Sequence, residues 1–114
     1  MVKKNNKPVC KTSSCGDKYW SLDNKLHRED GPALECPDGY KAWYYHGQRH
    51  RVDGPAIERA DGSKEWYFHG KLHRLDGPVY EGTNGAKEWH YHGEYINCSS
   101  QEEFERLIKL KVLW

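Results

Sequence analysis

The sequence predicts an all-β protein: an extended antiparallel meander of hairpin repeats, 23 residues each, capped by one C-terminal α-helix. Three observations predict it. The stretch HREDGPALECPDGYKAWYYHG (27–47) recurs as HRVDGPAIERADGSKEWYFHG (50–70) and as HRLDGPVYEGTNGAKEWHYHG (73–93). Each copy carries two turn signals around a short aromatic run. Hydrophobic residues are 36% of the chain and charged residues 31%, yet aromatics are 13%, so apolar surface comes mainly from rings that tolerate half-burial in a thin sheet. The chain divides into a basic, Cys-containing segment (1–18), the repeat sheet (19–96) and the capping helix (97–114).

Taken in order, residues 1–18 set Lys3, Lys4, Lys7, Lys11 and Lys18 against Asp17. That composition reads as a solvated, frayed end. Trp20, Trp43, Trp66 and Trp89 then occupy one repeat column, and His27, His50 and His73 another. The triplets at Asp30, Asp53 and Asp76, each Asp-Gly-Pro, form a third. Asp38-Gly39, Asp61-Gly62 and Asn84-Gly85 predict two-residue hairpin turns with positive φ at both positions. His46-Gly47, His69-Gly70 and His92-Gly93 predict the second turn of each repeat, and Asp23-Asn24 fills that slot in the first unit. Strands follow at 40–45, 63–68 and 86–91. Alternation puts Trp43 with Tyr45, Trp66 with Phe68 and Trp89 with Tyr91 on a core face. Tyr44, Tyr67 and His90 fall on the opposite, mixed face. Residues 33–35, 56–58 and 79–81 read as return strands, and the Gly-Pro before each stops the preceding extended piece, because proline offers no N–H to a ladder. The Trp column, Gly47, Gly70, Gly93 and the Asp column are therefore structural.

The tail NCSSQEEFERLIKLKVLW reads as the cap. Ser99 or Ser100 is the N-cap, and Ser100-x-x-Glu103 has capping-box form. Glu102, Glu103 and Glu105 suit the first turns. Phe104, Leu107, Ile108 and Val112 share one face. Leu110, Val112, Leu113 and Trp114 exceed one narrow stripe, so the helix is a candidate homodimer surface.

The repeats resemble the MORN family at Trp66-x-x-x-Gly70-Lys71-x-His73, Gly77 and the Asn84-Gly85 turn, over residues 19–96. The His-Arg-x-Asp-Gly-Pro form looks like MORN-like repeats of tailed phages and large DNA viruses, often followed by a helix opening as Glu102-Glu103-Phe104 does. The chain departs from the usual pattern where Arg28, Arg51 and Arg74 stand in place of glycine. The resemblance implies an extended hairpin sheet and a small viral accessory protein that acts by binding a host protein in the host cytoplasm.

Net charge is +1, and Glu35, Glu58, Glu65, Glu81 and Glu88 dilute any basic stripe, which argues against nucleic acid. No apolar run spans a bilayer. With no export signal after Met1, reduced thiols are expected. The pairs His46/His50 and His69/His73 invite zinc, but spacing that serves on a helix does not serve across a turn. A zinc site on Cys10, Cys15 and Cys36 is the alternative metal reading. Cys98, beside a helix N-terminus, is expected to have a lowered pKa. No phosphate loop or nucleophile elbow is present. The sequence thus predicts a non-enzymatic, cofactor-free binding module. Tyr44, Tyr67 and His90 form an exposed aromatic strip for a protein partner, with Arg51 and Arg74 on the edge. Small-ligand binding and self-assembly into a scaffold are the alternatives.

Overall fold

The computed structural model describes residues 7–112, with the backbone alone at Val112. Lys3, Lys4, Leu113 and Trp114 lie outside the described residues. The chain forms a slab of 51 × 39 × 17 Å. Its strands, in order, are β1 (Val9–Thr12), β2 (Lys18–Leu22), β3 (Lys25–Leu26), β4 (Leu34–Glu35), β5 (Lys41–Ala42), β6 (Tyr44–Tyr45) and β7 (Gln48–Arg49), then β8 (Ile57–Glu58), β9 (Lys64–Glu65), β10 (Tyr67–Phe68), β11 (Lys71–Leu72), β12 (Tyr80–Glu81), β13 (Lys87–Tyr91) and β14 (Glu94–Ile96). Helix α1 (Gln101–Val112) closes the chain. The main sheet is antiparallel throughout, in the order β1-β2-β4-β5-β8-β9-β12-β13-β14. The extended meander with one C-terminal helix is the fold that the repeat predicts.

The strands predicted at 40–45 and 63–68 each divide at their tryptophan, whereas 86–91 runs through Trp89 as the single strand β13. In the second repeat β5 pairs with β4 and β8 of the main sheet, whereas β6 pairs with β7 in a tight hairpin of its own. Trp43 stands between: its N–H reaches the Ala56 carbonyl at 2.7 Å, and its carbonyl accepts from His50 N–H at 3.0 Å. Trp20 makes the same change of partner within β2, and Trp89 within β13. The column thus marks where the chain changes strand partner, and at Trp43 and Trp66 it leaves the main sheet there for a separate hairpin. This corrects the alternation argument. Ala42 of β5 and Ala33, Ala56 and Val79, each immediately before a strand, are at 0% exposure, whereas Trp20, Trp43 and Trp66 are half-buried.

Two kinds of turn alternate. At His46-Gly47, His69-Gly70 and His92-Gly93 both residues have positive φ, near 50° at His and 81–84° at Gly. That is the two-residue hairpin the sequence predicts, and Asp23-Asn24 shares it. The Asp-Gly and Asn-Gly turns differ from expectation. Here φ is positive at Gly39, Gly62 and Gly85 but not at the preceding residue. Gly39 N–H bonds the Cys36 carbonyl, and Cys36 N–H bonds the Tyr40 carbonyl. This is a three-residue loop ending in a left-handed glycine. The side chain of Asp38 accepts from Tyr40 N–H at 2.9 Å, and Asp61 and Asn84 repeat that bond.

The two ends of the sheet differ. At the N-terminus β1 pairs with β2 in full register, so residues 9–12 are ordered edge strand and not a frayed segment. At the C-terminus α1 covers the last hairpin. Ser100 Oγ accepts from Glu103 N–H at 3.2 Å, which makes Ser100 the N-cap. Phe104 is fully buried and packs with Trp89 and Ile96, with Leu107 and Ile108 beside them. Leu110 is exposed. Among the described residues no helix is long and apolar enough to cross a membrane.

Candidate functional site

The His-Arg-x-Asp-Gly-Pro loops build themselves around the arginine. Arg28, Arg51 and Arg74 lay their guanidinium groups over Trp20, Trp43 and Trp66 at 3.8, 3.9 and 3.8 Å from the ring centroids. Each Nε donates to the aspartate two residues on, at 2.9, 3.1 and 2.9 Å for Asp30, Asp53 and Asp76. Each Nη1 donates to the carbonyl of the loop's proline, Pro32, Pro55 or Pro78. Arg51 also reaches Glu58 at 3.0 Å. The glycine of each loop leaves room for this fold-back: a Cβ on Gly31, Gly54 or Gly77 would stand 3.0, 2.8 or 2.5 Å from the guanidinium carbon, so the arginine would have to shift. The Arg–Asp pairs are therefore local to one loop. The arginine side chains are 21–22% exposed and those of the aspartates 85–88%. Arg28 holds the Asp30 carboxyl below the usual carboxylate range, first through that hydrogen bond.

The histidines form a ladder across repeats. Nδ1 of His27, His50 and His73 accepts from the N–H of His46, His69 and His92, each at 2.9 Å. The paired rings lie 4.1–4.2 Å apart. So His50 meets His69 of the next turn, and the four-apart pairing drawn for zinc is not made. An accepting Nδ1 requires a neutral ring with its proton on Nε2. Burial, then the neighbouring imidazole, lowers the pKa of all three acceptors; Glu29 partly offsets this at His27.

Successive loops stand as ridges with aromatic grooves between them. Trp43, Tyr45 and His50 line an open groove of about 780 Å³ between Arg28–Gly31 and Arg51–Asp53. Trp66, Phe68 and His73 line the next, about 510 Å³, between Arg51–Gly54 and Arg74–Asp76. Trp20 and His27 line a third, about 490 Å³, beside Pro8. The rims are apolar at unexpected places: Val52 is 82% exposed, Leu75 52% and Phe68 43%. Sequence reasoning missed this row. The available signal was a single column, Glu29, Val52 and Leu75, where aliphatic residues sit inside an otherwise charged turn.

The strip expected to be exposed lies on the other face of the short hairpins. Tyr44 and Tyr67 are half-buried, and their hydroxyls accept from Arg49 at 3.4 and 3.3 Å. Burial, ahead of the charge on Glu65, raises the pKa of Tyr67. His90 is 13% exposed by side chain, 3.6 Å from Glu88, and its buried Nδ1 has no hydrogen-bond partner among the described residues. Arg51 and Arg74 instead wall the grooves of the loop face.

The thiols remain apart from this face. Cys10 and Cys15 are exposed and Cys36 is half-buried. Among the described residues no three His, Cys, Asp or Glu side chains gather as a metal site. Cys98 reverses its expectation: burial, then Glu103, pushes the thiol pKa up despite the adjacent helix N-terminus. No protein-family model, curated protein or solved structure matches the chain.

Proposed function

We propose that this chain is a non-enzymatic protein-binding module whose binding face is the row of grooves between the arginine loops. The observation that carries this reading is the apolar exposure of Val52, Leu75 and Phe68 at adjoining groove rims. Aliphatic and aromatic surface placed on rigid ridges beside aromatic hollows suits burial against a partner. Nδ1 of His27, His50 and His73 and the Nε and Nη1 donors of Arg28, Arg51 and Arg74 are engaged in internal bonds, which favours recognition by shape and apolar contact over proton transfer. Together with the resemblance of the repeats to MORN-like viral proteins, this makes the chain a small phage or viral accessory protein that binds and inhibits or sequesters a host protein in the host cytoplasm.

The test compares the wild-type protein with the double variant Val52→Asp/Leu75→Asp, each incubated with host lysate and read by native mass spectrometry. Both positions are solvent-facing, so the circular dichroism spectrum is expected to stay unchanged. One defined protein held by the wild type and lost by the variant supports the reading. Equal retention by both would move the interface off this face. A zinc or small-molecule mass on the purified protein, with no protein partner, would replace the reading with a ligand-binding one.

A further inference from the structure

We propose that the loop face takes a basic, proline-rich segment in the polyproline II conformation, a partner class that rests on the binding reading above. The grooves adjoin: Arg51–Asp53 is the wall of both larger ones, and Arg28–Asp30 is shared by the first of these and the Trp20 groove. They therefore follow one another along the direction in which repeats stack. Each repeat adds two strands to the main sheet, as β8 and β9 do, so at 4.7–4.9 Å per strand the grooves recur about every 9.5 Å. A polyproline II helix turns once in three residues of 3.1 Å, which is about 9.3 Å. One proline per turn then enters each groove while the residues between cross the ridge.

The chemistry of the walls agrees. A proline ring is flat and apolar, and each groove offers it a tryptophan and a histidine ring, with Tyr45 or Phe68 added in the two larger grooves. The ridge crests present carboxylates: Asp30, Asp53 and Asp76 are 85–88% exposed and Glu29 73%, whereas the arginines beneath are folded back on their tryptophans. The accessible charge on the ridges is negative, which selects lysine or arginine at the crossing positions. Val52 and Leu75, beside those carboxylates, cover the aliphatic stem of such a side chain.

The experiment titrates the full chain with three synthetic peptides, followed by tryptophan fluorescence and calorimetry: four Pro-Pro-Lys triplets, four Gly-Ser-Lys triplets, and four Pro-Pro-Glu triplets. The Pro-Pro-Lys peptide is expected to bind, and the flexible Gly-Ser-Lys peptide of equal charge to bind roughly tenfold more weakly, because it must be ordered on binding. Pro-Pro-Glu is expected to bind more weakly still. Val52→Ser/Leu75→Ser should weaken Pro-Pro-Lys binding with the fold intact. Equal affinity for both lysine peptides would reduce the interaction to charge and overturn the proposal. So would absence of Pro-Pro-Lys binding to a wild-type protein that still captures a partner through Val52 and Leu75; in that case the binding reading survives alone. Loss of both removes both.

Discussion

Arginine and histidine do in this protein what aliphatic residues do in thicker ones. Each guanidinium roofs a half-buried tryptophan, and its planar fork serves the aspartate and the proline carbonyl together. Lysine cannot reproduce that geometry. Arg51→Lys is expected to cost about 1–2 kcal/mol in urea unfolding, from the lost stack and fork. Gly54→Ala should cost a similar amount by pushing the guanidinium off Trp43. The histidine ladder makes stability depend on pH. His27, His50 and His73 have folded pKa values below the ordinary imidazole value of 6.5. The unfolded chain therefore holds more protons than the folded one just below that value. The ladder's contribution is complete above 6.5 and is lost as pH falls through the lowered folded values. Urea midpoints measured from pH 8 to 5 should fall, and His50→Asn, which keeps an acceptor but cannot titrate, should flatten the decline. The sequence showed both columns and their turns. It could not show the fold-back, because Arg-x-Asp spacing is equally compatible with a bridge to the next repeat.

At the scale of elements, the strands were legible from their turns, and their depth was not. Alternation assumes that one strand keeps one sheet, and here the chain passes from the main sheet to a separate two-stranded hairpin at Trp43 and Trp66, so the face rule fails there. Trp89 differs because α1 lies over it: the indole N–H donates to Gln101 at 2.8 Å, and the ring is 5% exposed. Trp89→Ala should therefore destabilise by about 3–5 kcal/mol, the usual range for a buried ring, and Trp66→Ala by less. A larger loss at Trp66 in matched urea titrations would show that the arginine stack outweighs the hydrophobic contacts of the cap. Ser100→Ala is expected to cost about 1 kcal/mol as a lost N-cap. The helix was readable because capping box, acidic first turn and apolar face all agree. The aromatic grooves were not, since a groove belongs to two loops from different repeats.

Across the whole molecule, contacts run mainly between neighbours, as the strand order shows. Deleting residues 50–72 joins Arg49 to His73 and leaves every column in phase. The shortened protein is expected to unfold cooperatively with a smaller m-value, since less surface is exposed. Failure to fold would mean that the repeats are not interchangeable. The end of the series is marked in the same columns. Ile96 occupies the histidine position, Asn97 the arginine position and Gln101 the proline position. Gln101 then bonds both Trp89 and the Leu75 carbonyl, tying the helix to the final loop. These substitutions act as punctuation: they state where copying stops without referring to how many copies came before. Reach thus becomes a quantity that duplication or loss of one unit can alter in a single genetic event, with the terminus carried along unchanged.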